Sequence, residues 1–362
     1  MKVALVYDRV NKWGGAERVL LALHELFPDA PLYTSVYNQE TAPWAKVFPK
    51  VIPSFLQTFP FAKSRHDLYA PLMPVAFESF DFSEYDLVIS VTSEAAKGII
   101  TKPGTQHVCY CLTPTRYLWS GYKQYFKNDF LKIVTKPIVS YLRAWDKVAA
   151  QRPDIMLAIS KNVSSRIKKF YGKNSTLVYP PVDASNFQFP VPSSQRKEGD
   201  YFLVVSRLVL YKRVGLVIEV FNRLKLPLII VGTGSEEKSL KMQAKSKNIK
   251  FVGQVSDKEL AGYYAGCRAV IFPQEEDFGI VAVEAQAASK PVIAYKAGGA
   301  LEIIVDGKTG IFFDKQTSSS QKDAIDKFSK MKFNEEDCTN SARRFSKKKF
   351  ASQFGRLVKL PE

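Results

Sequence analysis

The chain has 362 residues, 46% of them hydrophobic and 24% charged, with a formal net charge of +17. That length exceeds one ordinary core and suits two domains of roughly 150–200 residues, and the composition excludes a disordered chain. No apolar run approaches the roughly 18 residues that span a bilayer; Cys109, Cys111, Cys267 and Cys338 follow no disulfide or metal spacing, and His24, His66 and His107 are too few for a His-rich metal site.

The first half reads as alternating strands and helices. Lys2–Tyr7 is an apolar strand, which argues against a leader peptide. A loop follows, and Trp13-Gly14-Gly15-Ala16-Glu17-Arg18 opens a helix to about Leu26. The dinucleotide fingerprint GxGxxG is not met, but paired glycines let a phosphate approach the backbone as readily as they make a plain tight turn. Pro31–Val36 and Lys46–Ile52 are short strand candidates, and residues 53–80 read as apolar helices ended by prolines. Asp86–Ser90 and His107–Cys111 are near-continuous apolar runs, as a parallel sheet requires. A short helix, 95–98, lies between them.

Residues 117–150 interleave rings (Tyr122, Tyr125, Phe126, Phe130, Tyr141, Trp145) with Lys123, Lys127, Lys132, Arg143 and Lys147. Lys97 to Lys173 holds fifteen Lys/Arg against three acids, Asp129, Asp146 and Asp154, so 15 − 3 = +12 lies in that stretch. Such a region implies a polyanionic partner. Three readings stand open: stacking on nucleic acid, seating on an anionic membrane, or core helices with solvated lysines. Asp154–Ser160 is a further strand, with Ser160 capping a helix at 162–170, and Thr176–Tyr179 closes the half. The polar run from Pro180 to Gly199 reads as a linker.

The second half repeats the grammar. Strands at 201–206, 227–231, 250–253, 269–272, 291–295 and 310–313 alternate with helices at 214–224, after Gly232-Thr233-Gly234 through Lys245, at 257–265 under a Ser256 cap, after Phe278-Gly279, and after Gly298-Gly299 to Val305. The tail, 342–358, reads as a basic helix. The fold expected is α/β, two doubly wound domains facing each other across a cleft. Their expected bounds are 1–185, joined by a tail helix at about 343–362, and 186–342.

Chemistry concentrates in the second half. Pro273-Gln274-Glu275-Glu276-Asp277-Phe278-Gly279-Ile280 joins a strand to a helix, where open α/β sheets bind ligands. Carboxylates there accept sugar or ribose hydroxyls, and backbone N–H groups of the first helical turn accept phosphate. An acidic helix start with no ligand has the same local pattern. Arg207 and Lys212 share one post-strand loop; a bidentate guanidinium and a point charge together suit a diphosphate, and surface cations fit as well. No Asp-x-Asp metal pair is present.

Glu276 and Glu284, with seven residues between them, stand in register with Ser206-Arg207-Leu208…Lys212, Val231-Gly232-Thr233-Gly234, Gly14-Gly15-Ala16-Glu17-Arg18 and Tyr179-Pro180-Pro181-Val182-Asp183. With these motifs the chain resembles, nearly end to end, the retaining nucleotide-sugar glycosyltransferases of family 4, whose fold is GT-B. Thr113-Pro114-Thr115-Arg116-Tyr117-Leu118-Trp119 is most similar to bacterial mannosyltransferases of envelope polysaccharide synthesis. The resemblance implies metal-independent transfer of a hexose, mannose from GDP-mannose, with a UDP-sugar as alternative donor. It implies that Arg207 and Lys212 hold the diphosphate, Glu276 the donor sugar, Glu284 the ribose, and backbone near Val255 the base. Gly232, Asp277, Phe278, Gly279 and Ile280 would line the donor, and Gly14 and Gly15 would meet the diphosphate. The acceptor, a glycan or lipid-diphosphate-linked glycan, would lie near Leu112, Arg116 and Tyr117, on a cytoplasmic protein at the inner face of the membrane; nucleic acid fits poorly. Leu112 departs from the pattern, since related mannosyltransferases carry His there, and Ser120 stands where Asp is usual. A degenerate binding protein that keeps the donor site is therefore the rival reading.

Overall fold

The computed structural model describes residues 1–126, 128–183 and 200–358. The chain divides into two compact units, Met1–Pro181 with Phe350–Glu362, and Val182–Lys349. The expected boundary at 185–186 and most of the linker lie outside the described residues.

The first unit is built on seven parallel strands, β1 (Val3–Tyr7), β2 (Leu32–Thr34), β3 (Val51–Pro53), β4 (Leu87–Thr92), β5 (Gln106–Cys111), β6 (Ile155–Ala158) and β7 (Thr176–Leu177), in the order β3-β2-β1-β4-β5-β6-β7. Its helices are α1 (Gly15–Leu26), α2 (Met73–Glu78), α3 (Tyr122–Tyr125), α4 (Asp129–Ala149) and α5 (Lys161–Tyr171). Strands β1 and β4 are buried along nearly their whole length, apolar but for Ser90 and Thr92, because helices cover both faces of a parallel sheet. Helix α1 buries Val19, Leu20 and Leu23 on its sheet-facing side. Ser160 caps α5 by accepting from the Val163 N–H at 3.0 Å.

The second unit has six parallel strands, β8 (Tyr201–Val205), β9 (Leu228–Val231), β10 (Ile249–Gly253), β11 (Cys267–Phe272), β12 (Val292–Tyr295) and β13 (Gly310–Phe313), in the order β10-β9-β8-β11-β12-β13. Helices α6 (Val214–Leu224), α7 (Glu237–Gln243), α8 (Asp257–Gly266), α9 (Ile280–Ala287), α10 (Ala300–Ile303), α11 (Ser318–Ser329) and α12 (Glu335–Arg343) accompany it. Its core joins Phe202 and Val204 of the sheet to Ile218 and Phe221 of α6 and Phe328 of α11. A last helix, α13 (Lys347–Leu357), carries Phe350 into the first unit, edge-on to Tyr110 at 5.8 Å.

Four expectations need correction. Lys46–Ile52 is not one strand: a 3-10 turn at Pro43–Val47 precedes a strand of only Val51–Pro53, because Pro49 interrupts the ladder. The segment 53–80 holds 3-10 turns at Phe55–Thr58 and His66–Leu72, with α2 its one true α-helix. The tail is two helices: the chain breaks at 344–346, where Phe345 is buried against Phe278. Helix α11 is not among the expected elements, although Gln321, Ala324, Ile325 and Phe328 show its buried face.

Candidate functional site

In both sheets the strand order reverses direction between the first and fourth strands of the unit. A chain leaving β8 turns toward β9, and one leaving β11 turns toward β12, so a crevice opens at their carboxyl ends. The post-β8 loop, 206–213, and the post-β11 loop, 273–279, both emerge there.

The structure brings their charged groups together. Lys212 Nζ contacts Glu276 Oε1, and Gln274 Nε2 donates to the same oxygen at 3.3 Å. The two charged side chains are 12% and 18% exposed, enough shelter to strengthen their attraction and enough opening for a ligand to exchange with it. Arg207 is exposed, and its guanidinium donates to Tyr211 Oη at 2.5 Å. Tyr211 also lies under Lys212, 5.2 Å from ring centroid to ammonium, so one ring orders both cations.

Backbone fixes the loops. Leu208 N–H donates to Thr233 O and Glu236 N–H to Leu208 O, both at 2.9 Å, tying the 206–213 loop to the turn that holds Gly232. Gly232 has φ 124°, and a Cβ there would stand 2.0 Å from Ser206 O. Gly299 N–H donates to Glu276 O at 2.9 Å, and a Cβ on Gly299 would meet Phe278 O at 1.9 Å. The acidic loop therefore rests directly on the Gly298-Gly299 backbone. Gly279, φ 112°, is the N-cap of α9, a conformation only glycine adopts without strain. It leads the N–H groups of the first turn to the carboxyl edge of the sheet.

Asp277 and Phe278 are buried, and Phe278 packs edge-on against Phe345 at 5.3 Å. Glu284 is 2% exposed and accepts from Tyr264 Oη at 2.9 Å. Val255 is half-buried in the loop after β10. Sequence reasoning missed Tyr211, Tyr264 and the support role of Gly298-Gly299; only the glycine pair left a visible trace.

The first unit shows a second polar concentration at its own reversal, between β1 and β4. Asp8, 3% exposed, accepts from Thr92 Oγ1 at 2.9 Å and from the N–H groups of Ser93, Ala95 and Ala96 at 2.6, 2.9 and 2.9 Å. Arg9 pairs with Glu94 at 2.5 Å, and burial pushes the Glu94 carboxyl up against the opposing pull of Arg9. Lys97 pairs with Asp146 at 2.5 Å, both side chains 1% exposed. Burial works against the Lys97 ammonium, Asp146 outweighs it, and its pKa is raised. Asp146 also accepts from Thr115 Oγ1, Trp119 Nε1 and Tyr171 Oη at 2.9, 2.7 and 2.8 Å. Asp8 and Glu94 were not singled out from sequence, and Asp146 was counted only for its charge, because nothing local distinguishes a sheltered carboxylate from a solvated one.

Gly14 and Gly15 lie between β1 and α1, and a Cβ on Gly14 would approach Glu17 Oε2 at 3.1 Å. Leu112 follows β5, its N–H donating to Thr92 O at 2.8 Å. Arg116 and Tyr117 are half-buried; the Tyr117 ring lies 6.3 Å from Tyr125, and burial raises its hydroxyl pKa. Among the described residues no three His, Cys, Asp or Glu converge as a metal site.

Comparison with known proteins bears on the fold and on the second unit. Residues 187–347 match the family described as glycosyl transferases group 1. An uncharacterized glycosyltransferase, MJ1178, of Methanocaldococcus jannaschii is 28% identical over 189 residues, 51% of this chain and 52% of that protein. The O-antigen chain mannosyltransferase C of Escherichia coli is 25% identical over 226 residues, 59% of this chain and 58% of that one. The matched part thus spans only about half the length of these curated relatives. The crystal structure of Anabaena Alr3699/HepE in complex with UDP superposes with a TM-score of 0.74 at 20% identity, covering 99% of this chain and 100% of that one. At that identity the likeness establishes the fold, which is GT-B.

Proposed function

We propose that this chain is a glycosyl transferase of group 1, the family its residues 187–347 match, and that it transfers a hexose from a nucleotide-sugar donor with retention. The observation that carries this reading is the Lys212–Glu276 contact, which draws a cation and a sugar-binding carboxylate to one point at the switch of the second sheet. Arg207 and Lys212 take the diphosphate, Glu276 the donor hydroxyls, and the N–H groups of Phe278, Gly279 and Ile280 the sugar and phosphate. Glu284, held by Tyr264, takes the ribose; a carboxylate has lone pairs for both partners. Gly232 shapes the phosphate loop and Val255 meets the base.

The donor we favour is GDP-mannose, in keeping with the E. coli relative named as a mannosyltransferase. The UDP in the Anabaena structure supports the alternative of a UDP-sugar. In the step proposed, the acceptor hydroxyl oxygen bonds to the anomeric carbon on the leaving group's side. The bond from that carbon to the diphosphate oxygen breaks, and a diphosphate oxygen takes the hydroxyl proton. Arg207 and Lys212 neutralise the charge that develops on the leaving group. The acceptor is a lipid-linked or free glycan near Leu112, Arg116 and Tyr117, which places the protein in the cytoplasm at the inner face of the membrane.

A thermal-shift panel of nucleotide sugars tests the donor, since a ligand that binds only the folded state raises the melting temperature. GDP release from GDP-mannose tests transfer. The reading fails if no nucleotide sugar shifts the melt, or if Glu276→Ala keeps full activity. Leu112 favours one second reading, a donor-binding protein without turnover; binding without GDP release, restored to turnover by Leu112→His, would establish it.

A further inference from the structure

Helix α4 is apolar on two sides. One side packs inward through Val139, Leu142 and Ala149, all at most 5% exposed. The rings near it are largely spent on structure: Trp119 stacks on Phe170 at 5.2 Å, Arg143 lies over Tyr122 at 4.7 Å, and Trp145 Nε1 donates to Glu78 at 2.7 Å. The opposite side carries Phe130, Ile133, Val134, Ile138, Tyr141 and Val148, which are 68, 72, 56, 45, 50 and 59% exposed. At about 100° per residue these fall within one arc, and from Phe130 to Val148 they run about 27 Å at about 1.5 Å per residue. A helix with no partner on such a face is unusual in water.

Charge says what covers it. Lys136 and Lys147 are exposed and lie along one border of the arc. The three acids of the +12 stretch are each already engaged: Asp129 with Lys132 at 2.6 Å, Asp146 with Lys97, and Asp154 with the His107 N–H at 2.7 Å. Among the described residues Lys136 and Lys147 have no carboxylate within ion-pairing distance, and the only acid beside the stripe, Asp129, is paired with Lys132. A long apolar face bordered by lysines is the pattern of a helix lying in a bilayer interface, its lysines on anionic headgroups. No described helix is long and apolar enough to cross a membrane.

We infer that the outward face of α4, Phe130 to Val148, is the surface by which this protein seats on anionic lipid. The inference deepens the membrane-bound acceptor proposed above and rests on it for its purpose; its chemistry is separate from the donor site.

The test is flotation of the full chain with vesicles of phosphatidylcholine alone and of phosphatidylcholine mixed with phosphatidylglycerol. Binding is expected to the mixed vesicles only, and to weaken with salt. Phe130→Ser with Ile133→Ser and Tyr141→Ser should cut binding at least tenfold, as should Lys136→Glu with Lys147→Glu, each with the donor-induced thermal shift unchanged. Loss of that shift in the parent chain would instead count against the function proposed. A second measurement does not depend on the triple variant folding. The four native cysteines are buried, so Ile133→Cys takes an environment-sensitive fluorophore selectively, and its emission should move to the blue on anionic vesicles. The inference is overturned if the parent chain ignores anionic vesicles, if the serine variant binds like the parent, if the probe stays in water, or if the stripe proves to be a dimer contact in sedimentation.

Discussion

Glu276→Gln separates two roles of one carboxylate. Glu276 contacts Lys212, the cation proposed above to take the diphosphate. A pair of unit charges about 4 Å apart is worth about 4 kcal/mol at an effective dielectric of about 20. Desolvation and the 12% and 18% exposure of the two side chains reduce this to a net of about 1–2 kcal/mol. Neutralising Glu276 removes the negative charge that Lys212 faces there, so GDP alone should bind about tenfold tighter, about 1.4 kcal/mol being a factor of ten. Transfer should move the other way. The lost hydroxyl contact acts on the transferring sugar, and a fall of about 100-fold is expected. Calorimetric titration with GDP and GDP release from GDP-mannose, on one preparation, measure both. If GDP binding weakens together with transfer, Glu276 merely holds the loop's shape and the exchange argument is wrong.

Three further outcomes follow from the same geometry. Glu284→Ala should cost about 1–3 kcal/mol by removing the acceptor of the Tyr264 hydrogen bond, whereas Glu284→Gln should melt near the parent temperature and lose nucleotide affinity; equal melting of both variants would remove the structural role. Asp146→Ala leaves the Lys97 ammonium buried and unpaired and should cost about 3–5 kcal/mol in denaturant unfolding; a cost below about 1 kcal/mol would show that Lys97 finds water. Stability should fall with acid through His107, whose pKa burial lowers to about 3. The unfolded chain takes that proton near pH 6.5 and the folded chain does not. The contribution is therefore complete above about 6.5 and is lost as pH drops toward 3, by about 2 kcal/mol at pH 5. His66, lowered to about 4 by burial and then by Arg9, acts with the same sign over a narrower window. Denaturant midpoints at pH 7 and 5 should converge for His107→Gln, and an unchanged slope would refute the assignment.

Much of this molecule is written locally. Alternation of apolar runs with helical segments determines two parallel sheets, because a strand covered on both faces must be apolar throughout. Ser160 and Ser256 cap the helices they precede in sequence, since a cap is a contact over three residues. Pro273 to Ile280 is recognisable as a candidate ligand loop because its acids and Gly279 stand at a strand-to-helix junction. Tertiary structure decided what these residues meet. Only strand order, set by packing across the sheet, brings the 206–213 loop beside the 273–279 loop and Lys212 onto Glu276. Only folding distinguishes Trp119, committed to Phe170, from Phe130, left facing outward, in a stretch where sequence shows rings and lysines alike. Asp8, Glu94 and Asp146 are invisible as a group for the same reason. Their partners lie tens of residues away, and burial, which gives a charge its energetic weight, belongs to the whole fold rather than to any segment of it.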